Sequence, residues 1–246
     1  MGSEMSKDSE ADDDEMPQHK LNLEEYWIGR YPVTVRQFST FVKANGYRTT
    51  AEKQGSSWGY TGEGWEEIKG ADWLHPRGPD SSVRQKLAHP VTQVSWDDTL
   101  AFCQWASQAT GCAVRLPTEA EWEKAARGVD GRIWPWGEKP PDRSRCKFNM
   151  NVGDTTPVGK YSPAGGSPYG CADMAGNVWE WTYSLYKSYP YRNEDGREAA
   201  ESQELRVLRG GSFNDLQGYV RCAARDKASP NDRDYSVGFR VVVSPI

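Results

Sequence analysis

The stretch YGCADMAGNVWEW (residues 169–181) is the part of this sequence that decides its fold. Its two carboxylates, Asp173 and Glu180, stand on either side of Gly176, and a glycine permits a tight turn because it has no Cβ. Such a turn can bring both carboxylates and the carbonyl oxygens of Gly176 and Val178 around one point. These hard oxygen donors suit Ca²⁺ better than Zn²⁺ or copper. From spacing alone, a turn whose carboxylates face water explains the pattern better, because calcium loops vary widely in sequence.

Aromatic residues are frequent throughout the chain. In the same stretch, Trp179 and Trp181 alternate with Glu180, which predicts a strand with a buried aromatic face. The 11 Trp and 12 Tyr stand beside 24 Gly and 15 Pro. This composition indicates a loop-rich domain held together by aromatic clusters rather than by long helices.

Length and charge limit the classes of protein that this chain can belong to. Its 246 residues show no obvious central linker, which favours a single domain, and a net charge of −5 argues against nucleic-acid binding. No run of about 18 apolar residues marks a membrane span, and the start lacks a signal peptide's basic and apolar regions. We therefore expect a cytoplasmic location by default.

The first residues differ in composition from the rest. Residues 1–18, MGSEMSKDSEADDDEMPQ, are acidic with almost no apolar content, so burial cannot offset the entropy lost on ordering them. We expect a disordered leader or a cloning remnant over 1–18 and one folded domain over 19–246.

Capping signals predict helices within that domain. Thr34 begins an amphipathic segment that Gly46 ends, Ser95 begins another that runs to about residue 108, and Thr118 caps a third that stops at Gly128. Residues 47–90 are loop-rich and carry several tryptophans, so we expect short strands and packed indoles there.

Separated motifs give the chain a family resemblance that runs from about Trp27 to Val243. They are RLPTEAEWEKAARG (115–128), WPWG (134–137), GNVWEW (176–181), RGGSF (209–213), RCAAR (221–225) and GFRVV (238–242). The order and sequence of these motifs resemble the formylglycine-generating enzyme family, also called the sulfatase-modifying-factor domain. The resemblance implies an α+β fold of the C-type-lectin-like class.

The resemblance also implies metal and disulfide sites. The family positions that match Asp173, Gly176, Val178 and Glu180 bind calcium, which we expect here as a structural ion. Those that match Asn149 and Met150 begin a second calcium site, for which the loop here is short. The five cysteines show no metal spacing. Two of them match positions that form a disulfide in some family members: Cys103 and Cys222.

The residues of the family's chemistry are missing from their expected place. The resemblance implies that its enzymes oxidise a substrate cysteine to formylglycine with copper and oxygen. They use two cysteines five residues apart between the GGS turn and the RCAAR motif. Here that interval, residues 213–220, contains no cysteine. We therefore expect no copper and a chain that is not an enzyme, with a diverged enzyme of the superfamily as the alternative.

The final segment suggests what a non-catalytic chain would do. Polar residues and tyrosines form three clusters between fixed motifs, and such residue types are common in adaptable binding surfaces. The clusters contain Phe213, Asn214, Asp215, Leu216, Gln217 and Tyr219, then Asp226, Lys227 and Ser229, then Asp232, Asp234, Tyr235 and Ser236. The layout resembles the variable proteins of diversity-generating retroelements, which display such a region for ligand binding.

We thus expect residues 213–236 to bind an unknown protein or surface ligand, with Tyr219 and Tyr235 as anchors. The alternative is a set of ordinary polar loops. The geometry distinguishes a binding protein from a diverged enzyme of the superfamily. A broad exposed face favours binding, whereas a concave pocket with perturbed titratable groups favours an enzyme.

Overall fold

Helices begin where the sequence places capping residues. The side chains of Thr34, Ser95 and Thr118 each accept a bond from the N–H three residues on, and that residue's side chain accepts from the cap's own N–H. This reciprocal box pairs two N–H groups that the helix leaves unsatisfied. The computed structural model describes residues 1–149 and 153–244, and its helices are α1 (Val35–Asn45), α2 (Thr50–Gln54), α3 (Trp96–Thr110) and α4 (Glu119–Arg127). The predicted helices are confirmed.

The strands are short and come in three groups. In chain order they are β1 (Trp27–Ile28), β2 (Ser56–Tyr60), β3 (Trp65–Lys69), β4 (Val114–Arg115), β5 (Trp179–Leu185), β6 (Arg206–Arg209), β7 (Arg225–Ala228), β8 (Val237–Phe239) and β9 (Val242–Val243). The order β7-β6-β5-β8 forms a four-stranded sheet, β1-β9-β4 a three-stranded sheet, and β2-β3 a hairpin. Within the larger sheet β5 and β8 are parallel and the other pairs antiparallel. The mixed α+β class is confirmed.

Strand β5 is buried on both sides. Trp181 is fully buried and its indole N–H donates to the carbonyl of Val94 at 3.0 Å. Trp179 and Glu180 are buried as well, so the strand is a central element rather than the one-faced strand that its alternation predicts. The largest apolar cluster joins this strand to α1, α3 and β8 through rings such as Phe38, Phe102 and Phe239.

The two cysteines that the resemblance pairs lie in different parts of the core. Cys103 packs in the cluster between α1 and α3, whereas Cys222 packs beside Trp122 and Met174 in a second cluster. Both thiols are free. The implied disulfide is therefore absent, because each cysteine is an apolar packing residue in its own cluster. None of the helices within residues 1–149 and 153–244 is both long enough and apolar enough to span a membrane.

Residues 1–18 are packed against the domain, contrary to the expectation of a disordered leader. Asp8 and Glu15 are buried, and their carboxylates pair with the buried guanidinium of Arg221 at 2.7 and 2.6 Å. Gly2 donates its N–H to Glu123 at 2.8 Å. The prediction of disorder from composition was wrong because these acids bind an arginine far along the chain. The separation from Arg221 is 213 residues for Asp8 and 206 for Glu15. Charge-assisted hydrogen bonds supply the stabilising free energy that this segment cannot gain from apolar burial.

Replacing Glu15 tests this packing. Glu15→Gln removes one charge from a buried ion pair, and we expect the free energy of unfolding to fall by about 2 kcal/mol, as is typical of hydrogen bonds to charged groups. The matched change Glu4→Gln lies in the same segment but at an exposed carboxylate, and should leave stability unchanged. Urea unfolding followed by tryptophan fluorescence measures both. Equal stability of the two variants would show that residues 1–18 are not packed against the domain.

Candidate active-site cavity

A cavity of about 590 Å³ opens beside the four-stranded sheet. All four strands contribute to it, and the β2-β3 hairpin and the loops around residues 214–219 and 232–236 complete it. The lining residues are Trp58, Trp65, Trp179, Trp181, Leu208, Asn214, Asp215, Tyr219, Asp226, Lys227, Ala228, Asp232, Arg233, Asp234, Ser236 and Val237. The cavity is therefore concave, with aromatic and acidic groups on the same surface.

The aromatic part comes from two directions. Trp58 and Trp65 on the hairpin are 44% and 49% exposed, and Tyr219 is 47% exposed. Trp65 stacks on Tyr235 with ring centroids 5.7 Å apart, and Tyr219 meets Trp179 edge to face at 6.4 Å. The half-exposed rings of Trp65 and Tyr219, each packed against another ring, offer flat apolar surface to a ligand, and Trp58 adds a third exposed ring.

Four aspartates bring the negative charge, and each is oriented in the same way. One oxygen of each carboxylate accepts a hydrogen bond from a nearby backbone N–H, which holds the side chain in place. The donors are Ser212 for Asp215, Lys227 for Asp226, Ser229 for Asp232 and Ser236 for Asp234, at 2.8, 2.8, 2.8 and 2.6 Å.

Burial perturbs two of these carboxylates. It raises the pKa of Asp234 to about 6 despite the hydrogen bonds from Ser236, with further upward contributions from Asp215 and Asp226. The pKa of Asp226 is raised as well, again mainly by burial and then by Asp215. Like charges near one another in a poorly solvated cavity hold protons more tightly. Such groups are typical of catalytic sites.

The predicted ligand residues divide into two groups. Eight of them line the cavity: Asn214, Asp215, Tyr219, Asp226, Lys227, Asp232, Asp234 and Ser236. The other five do not. Leu216 is exposed outside it, Gln217 donates to Glu10, and Ser229 holds Asp232. Phe213 and Tyr235 are buried against each other, so Tyr235 supports Trp65 and does not itself line the cavity.

Sequence reasoning missed the hairpin and sheet residues of the cavity. Trp58 and Trp65 lie more than 140 residues before the clusters and reach them only through the fold. Their alternation around Gly62 and Gly64 predicts a hairpin, but nothing in it indicates which face the indoles meet. Trp179 and Trp181 were assigned to the core, and one side of each also borders the cavity.

No cysteine is among the residues that line this cavity within the part of the chain that the structure describes. Burial raises the pKa of the thiols of Cys103, Cys146 and Cys222 to about 12 each. Such thiols stay protonated near neutral pH, whereas the thiolate is the form that binds metals and attacks substrates.

The carboxylate expected to bind calcium is already paired. Glu180 is fully buried and accepts from the Arg240 guanidinium through both oxygens, with Nη2 to Oε1 at 2.7 Å, and from the indole of Trp122 at 2.7 Å. A carboxylate has about four acceptor positions, so little capacity is left for an ion. Arg240 also donates to the carbonyl of Ala172 at 3.0 Å.

Two more of the expected calcium ligands, Asp173 and Gly176, already accept hydrogen bonds. Asp173 accepts from the N–H of Gly159 at 2.6 Å, and the Gly176 carbonyl from the N–H of Val178 at 3.0 Å. The main chain of Asn149 donates to the Asp215 carbonyl at 2.8 Å, and Met150 lies outside the described residues. As placed, the Glu180 carboxylate fits the guanidinium of Arg240 rather than Ca²⁺. Calcium binding stays a prediction.

The turn at Gly176 has a packing reason independent of any ion. Its φ is +74°, and a Cβ there would lie 2.0 Å from the carbonyl oxygen of Lys147. Only glycine fits such a close backbone approach in this conformation. The turn within residues 169–181 therefore requires glycine because the backbone at Lys147 lies so close to it.

Comparisons with known proteins agree with this architecture. The family model described as "Sulfatase-modifying factor enzyme 1-like domain" matches residues 1–245. A formylglycine-generating enzyme of Thermomonospora curvata is 35% identical, covering 100% of this chain and 90% of its own. The "Inactive C-alpha-formylglycine-generating enzyme 2" of Bos taurus is 34% identical, covering 96% and 83%.

Two solved structures show the same fold. PvdO from Pseudomonas aeruginosa superposes with a TM-score of 0.79 at 25% identity over 100% of this chain and 90% of its own. Treponema denticola variable protein 1 superposes with a TM-score of 0.65 at 23% identity over 89% and 84%. The fold is thus the C-type-lectin-like class of the formylglycine-generating type. This chain belongs to the formylglycine-generating enzyme (sulfatase-modifying factor) family.

The expectation that the chain is not an enzyme is corrected by these findings. Curated relatives named formylglycine-generating enzymes are 32–35% identical over most of the chain, which points to an enzyme. The absence of a cysteine pair from residues 213–220 does not remove all chemistry, because carboxylates remain in the cavity. The concave cavity with perturbed carboxylates is also the geometry that favours an enzyme over a flat binding face.

Replacing Glu180 tests whether this carboxylate serves as the counter-ion of Arg240 or as a calcium ligand. Glu180→Gln leaves a buried guanidinium without its counter-ion, and we expect a loss of about 3–5 kcal/mol in the free energy of unfolding. The exposed Glu25→Gln serves as the control. Urea unfolding is measured with EDTA and again with CaCl₂. A loss that appears only with calcium would show that the carboxylate binds the ion.

Proposed function

We propose that this chain is a diverged enzyme of the formylglycine-generating superfamily that carries out proton transfer on an organic substrate in the cavity. The observation that carries the proposal is the group of Asp215, Asp226 and Asp234 in one concave site, with the pKa of Asp234 raised to about 6. Family membership supports an enzyme, and the geometry supports this type of step.

Asp234 suits the role of the proton acceptor. A carboxylate with an ordinary pKa is a weak base, and a pKa near the working pH improves transfer while leaving most of the group ionised at neutral pH. Ser236 holds one of its oxygens through both N–H and Oγ, each at 2.6 Å. The other oxygen has no hydrogen bond within the described part of the chain, and is the one we assign to the substrate.

Asp215 and Asp226 act on Asp234 through their charge. Both raise the pKa of Asp234, and the charge of Asp215 also raises that of Asp226. A bound cationic group would lower the pKa of Asp226 and Asp234 and so favour their ionised forms. The state of the site therefore depends on what occupies it.

The donor set at this site does not fit the copper chemistry of the formylglycine-generating relatives. Soft thiolates bind Cu(I), but the described residues around the cavity offer carboxylates, an amide and hydroxyls. The side chains that occupy residues 213–220 are hard oxygen donors or apolar. We therefore assign the proton-transfer step to the aspartates and no step to a cysteine.

An activity screen tests the role of Asp234. A small-molecule extract of the organism that encodes the chain is incubated with the protein, and mass spectrometry follows which compounds disappear. We expect one compound to be consumed, and Asp234→Asn to slow this by about 10²–10⁴-fold, the usual contribution of a general base. Asp80→Asn, at an exposed aspartate outside the cavity, is the matched control and should keep full activity.

The pH dependence follows from the sign of the pKa shift. As a base, Asp234 acts only when ionised, so the rate should fall about tenfold per pH unit below a pKa of about 6 and level off above it. The Asn variant should lose this dependence. A rate that rises as the pH falls, or no compound consumed by the wild type at all, would overturn the proposal.

A second measurement separates this reaction from that of the relatives. The protein is incubated with Cu(I), oxygen and a cysteine-containing peptide that the Thermomonospora curvata enzyme oxidises, with that enzyme as the positive control. We expect no aldehyde from this chain, because no cysteine is among the described residues that line the cavity. Aldehyde formation at a comparable rate would show that the cysteine-to-formylglycine reaction is retained.

A further inference from the structure

The cavity carries more negative charge than its own residues neutralise. None of its four aspartates forms a salt bridge within residues 1–149 and 153–244. We infer that the substrate is an organic cation whose charge lies next to a flat, unsaturated ring. This inference rests on the proposed function and names the class of molecule that the site takes.

The basic residues around the cavity are directed elsewhere. Lys227 places its ammonium over the ring of Tyr186, 4.3 Å from the centroid. Arg233 donates to the carbonyls of Asn231 and Ser56 at 2.8 and 2.9 Å. Because these cations are held by rings and carbonyls, the carboxylates keep their charge for a ligand.

Arg77, close to the cavity, is likewise engaged. Its guanidinium lies over the ring of Tyr235 at 4.5 Å and donates to the carbonyl of Gly153 at 2.9 Å. It therefore supports the ring on which Trp65 stacks, rather than neutralising an aspartate.

The arrangement of the carboxylates favours an extended organic cation over a single metal ion. Among the described residues, three acidic, histidine or cysteine ligand atoms come within 4.8 Å of one another only at Asp12, Asp14 and Glu15, outside the cavity. The cavity aspartates come from three separate segments and do not converge on one point in this way. Charge spread around a cavity of about 590 Å³ matches a drug-sized molecule.

The aromatic residues define the second property of the ligand. Trp58, Trp65 and Tyr219 expose about half of their surface, and indole faces attract organic cations as well as flat rings. A ring that stacks on an indole would place an attached ammonium or related group toward the aspartates. A neutral or anionic molecule of the same shape would leave those carboxylates desolvated without a partner.

Matched probes test this inference without knowledge of the natural substrate. Benzylammonium, benzyl alcohol and benzoate share one ring and differ in charge, and ligand-observed NMR titration measures their binding without relying on tryptophan signals. We expect benzylammonium to bind at least about tenfold more tightly than benzyl alcohol, and benzoate not to bind. Cyclohexylmethylammonium, which keeps the charge but loses the flat ring, should bind more weakly than benzylammonium.

Variants separate the two recognition elements. Asp226→Asn and Asp232→Asn should each weaken benzylammonium binding several-fold and leave benzyl alcohol unchanged, whereas Trp58→Ala should weaken both. Glu63→Gln, in the exposed hairpin turn, and Trp27→Ala, an exposed indole on β1, are controls that should change neither.

The outcomes also distinguish this inference from the proposed function. Equal affinity for benzylammonium and benzyl alcohol, or loss of binding in the controls alone, overturns the inference. If the extract screen yields a consumed compound that is neutral or anionic, the cation inference fails while the enzyme stands. If cations bind as expected but nothing is consumed, the inference holds and the enzyme proposal fails.

Discussion

The fully buried ion pair between Glu180 and Arg240 is the contact on which the rest of the structure depends. Glu180 is the second residue of β5, opposite Arg209 of β6 and Gly238 of β8, while Arg240 follows β8 directly. The pair therefore locks a parallel strand pair that no short turn connects. Because Arg240 also donates to the carbonyl of Gly29, the same guanidinium ties the small sheet to the large one. Removing two charges from water costs desolvation free energy, which close ion-pair geometry and additional hydrogen bonds offset.

That arrangement explains the position of the cavity. With β5 and β8 parallel and side by side, the segments that follow β6 and precede β8 are brought to the same side of the sheet. Asp215 belongs to the first segment and Asp234 to the second, and β7 adds Asp226 between them in sequence. Three stretches that are separated along the chain thus form one surface only because the sheet order is β7-β6-β5-β8.

The starts of the helices could be predicted from the sequence, because they depend on interactions between residues close together in the chain. The helix starts at Thr34, Ser95 and Thr118 follow from side chains that bond within three residues, and they can be identified without any tertiary contact. The polar clusters of residues 213–236 were identified, but their shape as a cavity was not, because the tryptophans of the hairpin come from far upstream. The pairing of Glu180 was missed for the same reason. Its partner lies 60 residues away, and the carboxylate was interpreted only through its near neighbours.

The packing of residues 1–18 has a consequence for how the chain folds during synthesis. Asp8 and Glu15 find their partner, Arg221, at the other end of the sequence, and Glu10 accepts from Gln217 on the same side. A ribosome makes these acids more than 200 residues before their arginine, with separations of 213 and 206. The acidic segment must therefore stay solvated until Arg221 has emerged, and its high charge keeps it from aggregating during that interval. Such distant contacts also favour slow folding, since the loop must close before any of them can form.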